Sequence, residues 1–80
     1  MFYVYVIKSQ VQDWIYVGLS DNVERRIHEH NSGWGRSTKL YRQFKLLFVE
    51  NYPDRPSARI REKYLKSASG KRFIRKKFNQ

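Results

Sequence analysis

Two tyrosines, an arginine, a histidine and a glutamate carry the chemistry that this chain can offer. Tyr5 stands in the apolar run Phe2 to Lys8, and Tyr16 in Ile15-Tyr16-Val17-Gly18-Leu19. Arg26 and His30 follow in Val23-Glu24-Arg25-Arg26-Ile27-His28-Glu29-His30-Asn31, and Glu62 lies much later, in Ala58-Arg59-Ile60-Arg61-Glu62. A phenol can orient or deprotonate water, and a guanidinium offers a planar fork of donors to an anion. An imidazole can hold or pass a proton, and a carboxylate can seat a hard cation. Such groups, where they converge, can move protons and steady developing negative charge. Spacing alone establishes that they can converge, and no more.

The elements that must position them are legible in outline. Phe2 to Lys8 reads as a strand with Phe2, Val4 and Val6 on one face and Tyr3, Tyr5 and Ile7 on the other. Both faces are apolar, which predicts an interior strand covered on each side. The short connection Ser9 to Asp13 predicts an antiparallel hairpin to Trp14–Leu19. Pairing residues whose numbers sum to 21 sets Tyr5 opposite Tyr16; a slip of one would send the phenols to opposite faces. Gly18 near the strand end permits a close backbone approach that a side chain would block. Asp21 followed by Glu24 predicts a capped helix start, and the helix should end near Asn31–Gly33. On it Val23, Arg26, Ile27 and His30 share a face, with Val23 and Ile27 toward the core and Arg26 and His30 along its rim.

Residues 32–42 form a glycine-bearing loop with the cations Arg36, Lys39 and Arg42 and the aromatics Trp34 and Tyr41. These side chains suit either a core or stacking on bases beside positive charge. A third strand is predicted at Phe44–Tyr52, with Phe44, Leu46 and Phe48 on one side and Leu47 and Val49 on the other. Asp54 caps a second helix with Pro56 in its first turn. Ala58, Glu62 and Leu65 form the inward stripe of that helix, so Glu62 is an acid where apolar residues belong. A carboxylate there needs an arginine, a hydrogen-bond network or a metal. Gly70 to Phe78 reads as a last short helix. Phe73, Ile74 and Phe78 should face inward, and Lys71, Arg72, Arg75, Lys76 and Lys77 outward. Strands followed by segregated helices predict an α+β domain spanning residues 1–80.

Eighty residues without cysteine leave no room for a second core and exclude disulfides and thiolate metal sites. The apolar run at Phe2 to Ile7 is too short for a signal peptide or a membrane span. Charge is lopsided. Residues 1–54 hold seven basic and six acidic side chains, a net of +1, while residues 55–80 hold ten basic and one acidic, a net of +9. That field points to a polyanion, with nucleic acid ahead of an anionic membrane, since no segment shows the broad apolar face of an interfacial helix.

Several of these residues also carry a family resemblance. Tyr3-Val4-Tyr5, Tyr16-Val17-Gly18, Arg26, His30-Asn31 and Ala58-Arg59-Ile60-Arg61-Glu62 fall in an order and spacing that resembles the GIY-YIG nuclease family. The resemblance spans nearly the whole chain and implies a three-stranded antiparallel sheet flanked by about three helices. It implies a metal-dependent endonuclease that nicks DNA, with Tyr16 as base or water-activator and Arg26 on the scissile phosphate. Glu62 would hold one Mg²⁺ or Mn²⁺ ion, with Tyr5 and His30 assisting. Arg36, Lys39, Arg42, Lys71, Arg72, Arg75 and Lys76 are the candidates for binding nucleic acid. The place of work is expected to be cytoplasmic and nucleoid-associated, with no membrane and with a protein partner possible for targeting. Tyr3 stands where the family's first half-motif has glycine, and Leu19 where some relatives carry lysine.

Plainer readings stand beside these. Tyr5 and Tyr16 can be packed sheet aromatics, and His30 a helix-end packing residue. Arg26 and Glu62 can form a structural ion pair. His28-Glu29-His30 is no zinc site, because alternate helix residues point apart. A binding module or an adaptor without hydrolysis would use the same basic surface.

Overall fold

The computed structural model describes residues 1–33, 41 and 43–78. Three strands, β1 (Phe2–Ser9), β2 (Ile15–Ser20) and β3 (Phe44–Tyr52), form one antiparallel sheet in the order β2-β1-β3. Three helices accompany it: α1 (Val23–Asn31), α2 (Arg55–Lys66) and α3 (Ala68–Phe78). This is the predicted α+β arrangement, with β1 in the middle. Its two apolar faces explain the central position. Val4 and Val6 pack with Ile15, Val17, Ala58, Leu65 and Ile74 on the α2–α3 side. Tyr5, Ile7 and Phe44 pack with Trp14, Tyr16, Val23, Ile27 and Tyr41 on the α1 side.

The hairpin register differs from the expected one by two residues. Tyr5 opposes Gly18, and Ile7 opposes Tyr16. The turn itself is the cause. Ser9 Oγ accepts from the backbone N–H groups of Val11 and Gln12 at 3.2 and 3.1 Å, and the Ser9 N–H donates to the Trp14 carbonyl at 2.9 Å. Those bonds centre the turn later in the chain than the shortest hairpin would. A shift of two preserves faces, so both phenols remain on the α1 side with ring centroids 6.3 Å apart.

In β3 the simple alternation fails. The register against β1 shifts between Val6 and Ile7, where Val6 opposes Phe48 and Ile7 opposes Leu46. Leu47 is the extra residue of this bulge, so Phe44 joins the α1-side core while Phe48 joins the other.

Helix boundaries follow their caps. Asn22, not Asp21, caps α1 by accepting from the Arg25 N–H at 3.1 Å, and Gly33 closes it at φ 84°. Asp54 caps α2 as expected, accepting from the Ser57 N–H at 2.9 Å, with Pro56 in the first turn. Helix α3 starts two residues earlier than predicted because Ser67 caps it, accepting from the Gly70 N–H at 3.1 Å. Gly70 is no boundary. A Cβ there would lie 2.5 Å from the Leu65 Cα, and closer still to the Tyr64 carbonyl oxygen, so this glycine lets α3 pack tightly on the end of α2. Phe73 was expected inward but is exposed, with the Arg61 guanidinium and the Lys77 ammonium lying over its ring. No described helix is long and apolar enough to cross a membrane.

Candidate functional site

The hairpin and α1 bring four of the five candidate residues together. Tyr5 extends from β1 across the sheet, and its ring covers Gly18. A Cβ on Gly18 would fall 2.7 Å from Tyr5 Cε1, and nearer still to Cζ and Oη. Glycine at that position is therefore what gives the Tyr5 phenol its seat. Tyr5 Oη lies 3.0 Å from His30 Nε2, and the His30 ring stands edge-on to Tyr16 with centroids 4.8 Å apart. Phe44 closes the far side of the imidazole at 5.9 Å, and the Asn31 side-chain oxygen accepts from the Phe44 N–H at 2.6 Å. That last bond ties the end of α1 to the start of β3.

Burial divides the four into two layers. Tyr5 and His30 are each 1% exposed, whereas Tyr16 and Arg26 are half-buried. The expectation that His30 lines the rim is thus corrected. His30 packs instead among the rings of Tyr5, Tyr16 and Phe44. There its Nε2 lies within hydrogen-bond distance of the Tyr5 hydroxyl. Burial and the neighbouring Arg26 cation pull the His30 imidazole down to about 4, so it is neutral at physiological pH. Burial, and then the adjacent Tyr16, push the Tyr5 phenol up to about 12, against the hydrogen bond and positive charge of Arg26. Tyr5 therefore keeps its proton. Of the two phenols, Tyr16 is the one a solvent-borne group can reach.

Arg26 hydrogen-bonds Tyr5 and pairs with Glu29 one turn on along α1. Burial opposes its charge, but the bonds to Glu29 and Tyr5 outweigh that and raise its pKa. The ion pair of Arg26 with Glu62 does not occur among the described residues.

Glu62 is 5% exposed on the inward stripe of α2, where Ala58 and Leu65 are also buried. Its charge is felt at the Tyr5 phenol, which sets it within electrostatic reach of the tyrosine cluster. Its two oxygens are taken by its own helix. Arg59 Nη1 donates to Oε1 at 2.6 Å, and Lys66 Nζ lies 3.1 Å from Oε2. No described cluster of three or more His, Cys, Asp or Glu exists that could hold a metal. A single carboxylate suits a magnesium-like ion that completes its shell with water and substrate phosphate. Glu62 fits that role by type and burial, in competition with two cations.

The remaining candidates are scattered by comparison. Arg72 and Lys76 are exposed on α3, Lys71 is half-buried, and Arg75 reaches back 3.3 Å to Asp13 in the hairpin turn. Arg36, Lys39 and Arg42, with Trp34, lie outside the described residues. A cavity of about 300 Å³ opens beside the start of α1, lined by Tyr3, Asp21, Asn22, Val23, Glu24 and Val49. None of the five candidates lines it, and its two acids make it a poor seat for phosphate.

The GIY-YIG catalytic domain model matches residues 1–79 of this sequence. The chain belongs to the GIY-YIG family. Among its relatives, UPF0213 protein CPE1444 of Clostridium perfringens is 36% identical over 82% of this chain and 71% of that protein. UPF0213 protein YazA of Bacillus subtilis is 31% identical over 96% of this chain and 81% of its own length. No solved structure matches. GIY-YIG domains are of nuclease type, act on nucleic acid and generally use divalent metals. Three residues outside the five candidates hold them in place here: Glu29 pairs with Arg26, and Arg59 and Lys66 pair with Glu62. All three stand at helical i±3 or i±4 spacing from the residue they hold, which is the signal that would have found them.

Proposed function

We propose that this protein is a metal-dependent endonuclease that nicks DNA, working as one domain in the cytoplasm beside the nucleoid. The observation that carries the reading is that Tyr16 and Arg26 both stay half-buried around the interior Tyr5–His30 hydrogen bond of 3.0 Å. Arg26 donates N–H groups to the scissile phosphate and neutralises charge as it builds on the phosphoryl oxygens. Tyr16, in its phenolate form, orients the attacking water and takes its proton to become the neutral phenol. Tyr5 and His30 act one layer in, fixing the guanidinium and the Tyr16 ring so that both meet the phosphate without reorganisation. Glu62 would hold a divalent ion, which supplies charge neutralisation at the phosphate and the leaving oxygen. Lys71, Arg72 and Lys76 on α3, with Arg36, Lys39 and Arg42, bind the DNA backbone.

Nicking of supercoiled plasmid in Mg²⁺ or Mn²⁺ tests this reading. Wild type should convert plasmid to open circles, and Arg26→Ala and Glu62→Gln should each fail to do so. Cleavage that survives both substitutions refutes the site assignment. A second reading has its own support: Glu62 already has a cation on each oxygen. On that reading the protein binds nucleic acid, with steep salt dependence, and cuts nothing under any divalent ion.

A further inference from the structure

The clamp on Glu62 has a consequence for when a metal ion can bind. Arg59 and Lys66 lie three residues before and four residues after the acid, and each engages a different carboxylate oxygen, at 2.6 and 3.1 Å. The side chain of Glu62 is 7% exposed, while those of Arg59 and Lys66 are 54% and 48% exposed. The acid is therefore fixed and the cations are not. Both are long side chains about half-exposed, so they can swing outward into solvent without disturbing the core. A divalent ion approaching Glu62 meets two positive charges already bonded to its only ligand atoms. A nucleic-acid backbone presents the opposite situation, because its phosphates compete with Glu62 for the same guanidinium and ammonium.

We infer that Arg59 and Lys66 form a displaceable cationic clamp that keeps Glu62 closed to divalent ions until phosphates of a nucleic acid draw the two side chains away. Metal and nucleic acid then bind cooperatively, and the coupling is reciprocal: each raises the affinity of the other by the same factor. The clamp rests on the reading of Glu62 as the metal ligand given above, and it adds the two residues that control access to it. It also limits hydrolysis to bound substrate, since the ion and the phosphate arrive together.

The test is a Mn²⁺ titration followed by paramagnetic broadening of the backbone amides of Ala58, Glu62 and Leu65, which reports occupancy at this acid without any turnover. The Arg59→Gln/Lys66→Gln protein should bind Mn²⁺ about tenfold or more tightly than wild type, within the usual range of coupling between sites. Lys45→Gln/Lys63→Gln removes the same charge elsewhere and should leave the affinity near wild type. A short saturating oligonucleotide should tighten Mn²⁺ binding to wild type by a larger factor than to the clamp variant, where only the added phosphate ligand contributes, with Glu62→Gln as the correction for ions held by the oligonucleotide itself. If the double variant does not fold, the two single variants each free one oxygen and should show intermediate affinities.

Equal affinity of wild type and clamp variants, with broadening still abolished by Glu62→Gln, overturns the clamp and leaves the metal ligand standing. Broadening that persists in Glu62→Gln overturns both, because the ion is then held by other atoms. An equal gain in the control variant also refutes the clamp, since net charge rather than these two contacts would be responsible.

Discussion

A buried imidazole held neutral should make this fold sensitive to mild acid. His30 is enclosed by Tyr5, Tyr16 and Phe44, and its pKa falls from 6.5 to about 4. Once unfolded, the same side chain takes up a proton near its ordinary value. Between pH 6.5 and 4 the unfolded chain therefore binds a proton that the native protein refuses, and stability drops as pH falls. Each pH unit in that window is worth about 1.4 kcal/mol. From pH 6.5 to 4.5 the loss reaches about 2 kcal/mol, a large share of the roughly 5–10 kcal/mol expected for a domain of this size. Glu50 and Asp54 act below this window. Hydrogen bonds from Arg61 and Tyr52 overcome burial and lower Glu50, and its Ser57 bonds lower Asp54, from ordinary values of 4.5 and 3.8. Stabilisation from those groups is complete above their unfolded values and is lost only at lower pH. Urea unfolding followed by tryptophan fluorescence at half-unit steps from pH 7.5 to 4.5 measures the slope, and His30→Gln should remove it. NMR of the His30 ring should show no titration midpoint above pH 5. A wild-type stability that stays flat to pH 4.5, or a His30 midpoint near 6.5, refutes the enclosed and neutral imidazole.

Three further outcomes follow from the same geometry. Tyr16→Phe should abolish nicking and change unfolding free energy by less than about 1 kcal/mol, whereas Tyr5→Phe should cost about 1–3 kcal/mol by removing the buried hydrogen bond between the phenol and His30; urea curves beside a plasmid assay separate the two. Gly18→Ala should push the Tyr5 ring off its seat, costing about 1–3 kcal/mol as an overpacked contact and impairing nicking, with the Tyr5–His30 NMR contact as the structural readout. Arg61→Ala removes a two-pronged bond to Glu50, at 2.9 and 3.2 Å, together with the cover over Tyr64 and Phe73. Thermal unfolding should register about 1 kcal/mol of loss, less in high salt, because the pair is partly exposed.

Much of this was readable from residue types. The two apolar faces of Phe2 to Lys8 announced a central strand, and the stripe of Ala58, Glu62 and Leu65 announced a buried acid; the structure has both. What escaped the sequence depends on side chains acting on the backbone at a distance. Ser9 re-centres the hairpin by collecting two N–H groups, which moves the register by two and sets Tyr5 against Gly18. Period-two reading of β3 has no means of foreseeing that Leu47 bulges, because the bulge is a relation between strands. Gly70 looked like a helix start, yet its lack of a side chain serves helix-to-helix contact. Phe73 followed the apolar pattern but stays at the surface under Arg61 and Lys77, as an aromatic can when cations cover its face.

The arrangement also bears on how so basic a protein meets a polyanion. Residues 55–80 carry a net charge of +9, but much of the positive charge nearest the acids is already engaged. Arg59 and Lys66 serve Glu62, Arg61 serves Glu50, and Arg75 serves Asp13. A phosphate backbone laid along α2 and α3 would therefore exchange partners as well as neutralise charge. Exchange at Arg61 would loosen β3 from α2, where the cost falls on stability. Exchange at Arg59 and Lys66 would release a buried carboxylate within electrostatic reach of Tyr5. The same class of contact thus frees a partly exposed acid at Arg61 and a buried one at Arg59 and Lys66. What separates them is the acid: Glu50 lies at the edge of the sheet, and Glu62 is buried on the inward stripe of α2, within electrostatic reach of Tyr5.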